Sequence, residues 1–235
     1  TNVREWTNLS RGVSRGMTVS AVLFDVDGTL VDSNYLHVDA WQRAFDECGV
    51  HVDAWRIHRA IGQDSDRLLR SLVGERDDDW VARATDLHSR NYRGMASRLA
   101  AFEGAADLLR ALRDAGVQTV LATSAPDDEL DLLLEALDAG DAVTATTSAD
   151  DVDDAKPDPG ILQVALDRVG ATADQAIMIG DAVWDARAAQ RAGVRSIGVR
   201  SGGSGADELT EAGAALVYDD PADLLRHRDE WLRSS

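Results

Sequence analysis

The chain has 235 residues, enough to bury one large core or a core with an insert. Its 42 Asp and Glu residues outnumber 24 Lys and Arg, and the resulting formal net charge of −18 repels nucleic acid and anionic membranes. No run approaches the roughly 18 apolar residues of a membrane span, and a single cysteine, Cys48, excludes an internal disulfide, so a reducing cytoplasm is the expected location.

Residues 1–18 show no convincing periodicity, and a strand-like run follows Met17 at once. They are expected to be a disordered or extraneous leader, with Met17 as the natural start. SAVLF (20–24) is a short apolar run that reads as a buried strand. Four helical patterns come next, with almost no strand signal among them: NYLHVDAWQRAFDECG (34–49), VDAWRIHRAIG (52–62), DRLLRSLVG (66–74) and DDDWVARATDLHSRNYRG (77–94). Their tryptophans read as packing residues. From GAADLLRALRDAG (104–116) onward the period alternates. VQTVLAT (117–123) is a strand, and Pro126 opens a helix as its first helical residue. PGILQVALDRVG (159–170) is a helix, AIMIG (176–180) a strand and VWDARAAQRAG (183–193) a helix. RSIGV (195–199) is a strand, DELTEAG (207–213) a helix and ALVYD (215–219) a strand. Such alternation predicts an α/β fold: a doubly wound parallel sheet, Rossmann-like, with helices on both faces. The expected division is a catalytic core of residues 19–33 and 101–235, with a helical cap of residues 34–100 inserted after the first strand.

Ligands of open parallel sheets bind at the carboxyl ends of the strands. DVDGTL, with Asp25 and Asp27, follows the first strand, and Thr123-Ser124 ends the second. Asp181 follows AIMIG, and Asp185 lies one helical turn on. Lys156, the only lysine of the chain, sits in a loop before a helix. The topology therefore brings four carboxylates, a hydroxyl pair and one ammonium to a single sheet edge. Clustered carboxylates repel one another unless a cation lies among them. Oxygen donors without His or Cys suit a hard ion, and Mg²⁺ is the usual one beside phosphate. One carboxylate can attack phosphorus to give an aspartyl-phosphate. A second, two residues along, points the same way on an extended chain and can serve as general acid and base. Thr123 and nearby backbone N–H groups, that of Gly28 among them, can hold the phosphoryl group, with Lys156 placed where negative charge gathers. The four aspartates just before Lys156 read as a solvated loop.

These residues resemble the haloacid-dehalogenase superfamily of phosphohydrolases. The resemblance rests on D-x-D-G-T-L (25–30), Thr123, K-P-D-P (156–159), and G-D-x-x-x-D leading into a helix that ends in A-G (180–193). The tail and the cap position resemble the phosphoglycolate phosphatase and β-phosphoglucomutase branch. That likeness implies Asp25 as nucleophile and metal ligand, and Asp27 as acid/base that lends its backbone carbonyl to the metal. It implies Asp181 as the third protein ligand, and Asp185 as joined to the metal through water or standing just behind its ligands. Thr123, Ser124 (through its amide) and Lys156 would hold the phosphoryl group. His37, twelve residues after Asp25, is either a substrate contact near the hinge or a surface residue of a cap helix. Where sugar phosphomutases offer an arginine to the distal phosphate, the loop IGQDSDRLL (61–69) has Ser65, with Arg67 two residues on. Hydrolysis is favoured accordingly, and Asp27 argues against dehalogenation. The expectation is a Mg²⁺-dependent phosphatase of a small phosphorylated metabolite, as monomer or homodimer. A sugar phosphomutase and a non-catalytic phosphate-binding protein are the alternatives.

Overall fold

A computed structural model describes residues 19–151 and 156–233. The expected leader and the second half of the aspartate run, Asp153 and Asp154, lie outside the described residues. The first strand, β1 (Ala21–Phe24), is followed by four helices: α1 (Asn34–Glu47), α2 (Ala54–Ala60), α3 (Ser65–Val73) and α4 (Asp78–Arg93). Then come α5 (Ala105–Asp114), β2 (Gln118–Ala122), α6 (Asp127–Leu137), β3 (Ala145–Thr147), α7 (Gly160–Val169) and β4 (Ala176–Gly180). The chain ends with α8 (Val183–Ala192), β5 (Arg195–Val199), α9 (Ala206–Ala212), β6 (Leu216–Tyr218), α10 (Pro221–Arg226) and α11 (Arg228–Arg233).

All strand pairs are parallel, in the order β3-β2-β1-β4-β5-β6. The chain winds outward from β1 to one edge, then returns to place β4 on the other side of β1. The doubly wound α/β fold expected from the alternation is the fold observed. Period-two alternation along each strand sorts its side chains between two cores. Val22 and Phe24 of β1, Leu121 of β2 and Ile177 and Ile179 of β4 face one cluster, closed by Leu108, Leu109 and Leu112 of α5 and by Trp231 of α11. Ala21, Leu23, Val120, Ala122 and Met178 face the other, closed by Ile161, Leu162, Ala165 and Leu166 of α7 and Ala188 and Ala189 of α8. The helices between β1 and α5 pack around a third cluster, with Trp41 and Phe45 of α1, Ile57 of α2, Leu68 of α3 and Leu87 of α4.

Two local details differ from expectation. β3 carried no strand signal, because its sequence ATT holds no large apolar residue and it pairs only along its β2 side. Pro126 stands one position before the first turn of α6, with φ −67° and ψ 163°, so it caps the helix instead of opening it. No helix among the described residues is long and apolar enough to cross a membrane.

Candidate active site

Register sets the site. Phe24 pairs with Leu121 on one side and Ile179 on the other. Asp25 therefore leaves β1 level with the tips of β2 and β4, where Thr123 and Asp181 follow. The Asp25 N–H still donates to the Ile179 carbonyl at 2.9 Å, so its backbone is fixed by the sheet. A tight turn then begins, with the Val26 carbonyl accepting from the N–H groups of Thr29, Leu30 and Val31. Gly28 makes that turn possible at φ 73°, in the left-handed region where a side chain is strained. A Cβ there would also collide with the Asn34 amide. The Gly28 N–H donates to the Val31 carbonyl at 2.8 Å, which leaves it no proton for a phosphoryl oxygen. The role of Gly28 in this structure is the turn itself.

Asp25, Asp181 and Asp185 bring carboxylate oxygens within 4.8 Å of one another, and all three residues are buried. Lys156, 0% exposed, places Nζ 2.5 Å from Asp25 Oδ1 and 2.8 Å from Asp185 Oδ1. The Thr29 hydroxyl reaches Asp25 and Asp181, and Asn34 Nδ2 donates to Asp181 at 2.9 Å. Asp185 also accepts from the Ala182 N–H at the start of α8, at 3.0 Å. One ammonium does not balance three buried carboxylates. Burial, and then the Asp185 and Asp27 charges, push Asp25 up to about 7 despite Lys156. Burial and the Asp25 and Asp185 charges hold Asp181 well above the usual carboxylate range. Burial alone would lower the Lys156 pKa, but Asp185 and Asp25 outweigh it and keep the ammonium charged. The cluster is thus short of positive charge and offers oxygen donors only. Both properties fit a divalent hard cation.

Asp27 faces the other way. Its Oδ1 accepts from Ser33 Oγ at 2.5 Å and lies 3.1 Å from His37 Nε2 and 3.5 Å from the Tyr92 hydroxyl. Its carboxylate is therefore not part of the three-carboxylate cluster, and only its backbone remains for that side. Burial would raise Asp27, but the charge and hydrogen bond of His37, with Ser33, hold it below its ordinary value. His37 Nδ1 in turn lies 3.0 Å from His88 Nε2 on α4. His37 is buried, not on a helix surface, and stacks on Tyr92 at 4.0 Å between centroids. Burial would lower its pKa, and Asp27 outweighs that and raises it. Burial and the His37 charge push His88 well below the usual imidazole range.

Between the strand tips and the helical segment lies a partly open cleft of about 110 Å³. Asp25, Asp27, Thr123 and Ser124 line its floor, and His37, Trp41, Ser65 and His88 line its walls and roof. Thr123 Oγ1 accepts from the Ala125 N–H at 3.0 Å, which leaves its own proton to donate. Ser124 Oγ is buried without a hydrogen-bond partner among the described residues. Every predicted site residue but Lys156, Asp181, Asp185 and Gly28 lines this cleft, and those four sit behind Asp25 or in its turn. Sequence reasoning missed Ser33, Asn34, His88, Tyr92 and Glu129. Ser33 and Asn34 carried a usable signal, since they lie in the polar run Asp32-Ser33-Asn34 just after the DVDGTL turn. The others come from distant helices and are joined to the site only by tertiary packing.

A family model described as haloacid dehalogenase-like hydrolase matches residues 22–199. The chain belongs to that family. The same range holds Asp25, Asp27, Thr123, Lys156, Asp181 and Asp185. Among relatives in this haloacid dehalogenase-like family, a phosphoglycolate phosphatase from Rhodospirillum rubrum is 32% identical over 90% of each chain. The crystal structure of a hydrolase from Pseudomonas syringae has a TM-score of 0.86 at 38% identity, over 90% of this chain and 98% of that one. A β-phosphoglucomutase candidate from Bacteroides vulgatus shares the fold, with a TM-score of 0.84 at 21% identity over 94% and 93% of the two chains.

Proposed function

We propose that the chain is a Mg²⁺-dependent phosphatase that cleaves a small phosphorylated metabolite through an aspartyl-phosphate on Asp25. The observation that carries this reading is Asp25 itself. It is a carboxylate on a rigid strand end, held 2.5 Å from a buried ammonium, with Thr123 and Ser124 lining the cleft in front of it. Asp25, Asp181 and Asp185, with the Asp27 carbonyl, would hold the cation, which supplies charge neutralisation for phosphoryl and carboxylate oxygens.

In the first step an Asp25 oxygen bonds to phosphorus as the ester P–O bond breaks, and Asp27 passes a proton to the leaving alcohol. In the second, Asp27 takes a proton from water, the water oxygen bonds to phosphorus, and Asp25 is released with inorganic phosphate. His37 beside Asp27 suits both halves. Its charge keeps Asp27 ionised for the base role, and its Nε2–H, 3.1 Å away, is a proton source for the acid role. Lys156 and the Thr123 and Ser124 hydroxyls take up charge on the equatorial oxygens. Residues 34–100 act as a cap over the core of residues 19–33 and 101–235, closing to exclude water. Ser89 to Glu129 at 3.0 Å and the Arg93–Asp128 ion pair link the two sides of that boundary. A mutase is disfavoured. Ser65 lines the cleft where mutases carry arginine, and Arg67 pairs with Asp64 at 3.2 Å and does not line it.

The direct test is phosphate release from p-nitrophenyl phosphate and small phosphate esters, with Mg²⁺ and with chelator. Metal-dependent release is expected. Metal binding with no release from any ester would turn the reading toward a phosphate-binding protein, and turnover only with a bisphosphate primer would turn it toward a mutase.

A linked prediction concerns stability. Asp25 has a folded pKa of about 7 against an ordinary value of 3.8, so the metal-free fold favours the protonated form. That contribution is complete below the ordinary value and is lost as pH rises toward 7. Mg²⁺ competes with those protons. The rise in Tm on adding Mg²⁺ is therefore expected to be larger at pH 7.5 than at pH 5. A rise that is equal at both pH values, or larger at pH 5, would contradict metal binding by these carboxylates.

A further inference from the structure

Resting on the phosphatase reading, we propose that the substrate is the monophosphate of an uncharged, hydroxyl-bearing alcohol such as a sugar or polyol, and that Glu129 on α6 selects against esters carrying a second anionic group. The argument starts from what lines the cleft away from Asp25. There Gln63, Thr85, Ser89 and Glu129 offer hydrogen-bonding groups, and no Arg or Lys is among the described residues that line it. The arginines of the neighbouring helices are occupied: Arg93 pairs with Asp128, and Arg67 with Asp64. Lys156, with Nζ on Asp25 and Asp185, serves the transferred phosphoryl group and not the far wall of the cleft.

Two imidazoles remain, and neither is a free cation for a substrate. His37 is the one inclined to carry charge, but its Nε2 faces Asp27 at 3.1 Å and its Nδ1 faces His88 at 3.0 Å. His88 is held neutral by burial and by the His37 charge. Glu129 is 2% exposed and accepts from Ser89 Oγ at 3.0 Å, so its carboxyl is fixed in the wall. An ionised Glu129 repels a substrate carboxylate or second phosphate. A protonated one still leaves that anion buried without a cation, which is costly. Hydroxyl groups, in contrast, pair with carboxyl, amide and hydroxyl side chains in either state. The substrate named for the Rhodospirillum rubrum relative carries a carboxylate, so the proposal separates this chain from that relative.

The test compares kcat/KM of the full chain with Mg²⁺ for glucose 6-phosphate, glycerol 3-phosphate, phosphoglycolate, fructose 1,6-bisphosphate and p-nitrophenyl phosphate. The better of the two neutral-alcohol esters is expected to exceed phosphoglycolate and the bisphosphate by at least about tenfold, the equivalent of ~1.4 kcal/mol. Phosphoglycolate or the bisphosphate as the best ester overturns the proposal, while turnover of the aryl ester in that experiment keeps the phosphatase reading intact. Loss of all turnover, the aryl ester included, overturns both. Glu129→Gln retains size and the acceptor for Ser89. It is expected to raise the ratio of phosphoglycolate to glucose 6-phosphate kcat/KM by about tenfold, as removal of one buried like charge predicts. An unchanged ratio in the folded variant removes Glu129 from the selection.

Discussion

Asp25→Asn is expected to abolish phosphate release, a loss of at least about 10⁴-fold, as for other removals of a covalent nucleophile, while leaving the fold in place. An amide has the shape of the carboxylate but not its nucleophilic charge. Structure gives the reason why the fold should tolerate the change. Asp25 is the member of the cluster that burial and two neighbouring carboxylates push up to about 7, so removing its charge relieves repulsion with Asp185 and Asp27. The loss of its contact with Lys156 acts against that relief, but Asp185, 2.8 Å from the ammonium, remains to hold it. The checks are phosphate release with Mg²⁺ and the thermal unfolding of wild type and variant. Turnover within about tenfold of wild type would remove Asp25 as nucleophile, because loss of a covalent nucleophile costs far more than tenfold.

Much of this arrangement was legible in the chain. Strands with large apolar side chains on both faces, such as AIMIG, mark their own boundaries, and the strand-tip rule alone puts Asp25, Thr123 and Asp181 at one edge. The short β3 was not legible, since Ala and Thr in three residues carry no period. Direction was also hidden. Asp25 and Asp27 lie two apart, and alternation suggested that they point the same way, yet the Val26–Val31 turn begins between them. Asp25 goes to the cation cluster and Asp27 to His37, Ser33 and Tyr92. The same turn takes the Gly28 amide away from the substrate. His88 and Glu129 were beyond sequence reasoning for a different reason. Each sits on the buried face of an amphipathic helix, where a polar residue looks like a break in the pattern until the facing helix is known. The packing of α1 against α4 turns that break into a His37–His88 pair.

Lys156→Arg is expected to lower turnover by at least about 10²-fold although the charge is kept, the size of loss seen when a transition-state donor is displaced. Lys156 is fully buried, and its compact ammonium lies between Asp25 at 2.5 Å and Asp185 at 2.8 Å. A guanidinium is a planar fork that needs more room and directs its donors differently. Fitting it in would displace Asp25 from the strand axis or disturb the Asp185 contact with the start of α8. The only lysine in the chain therefore stands where arginine, used at every other basic position, does not serve. Lys156→Met separates charge from shape. It leaves Asp25, Asp181 and Asp185 without a counter-charge and is expected to destabilise the metal-free protein by about 3–5 kcal/mol at neutral pH. The sign with pH follows from the carboxylates. With the ammonium gone, the folded pKa of Asp25 loses the partner that lowers it and rises further above the unfolded value, so the fold binds protons more tightly than the unfolded chain. The penalty then shrinks below the ordinary carboxylate range and grows as pH rises. Denaturant unfolding of Lys156→Met at pH 5 and pH 7.5, in chelator, reads this directly. A penalty independent of pH would mean that Lys156 stabilises by packing alone, and near-normal turnover of Lys156→Arg would mean that any positive charge at this position suffices.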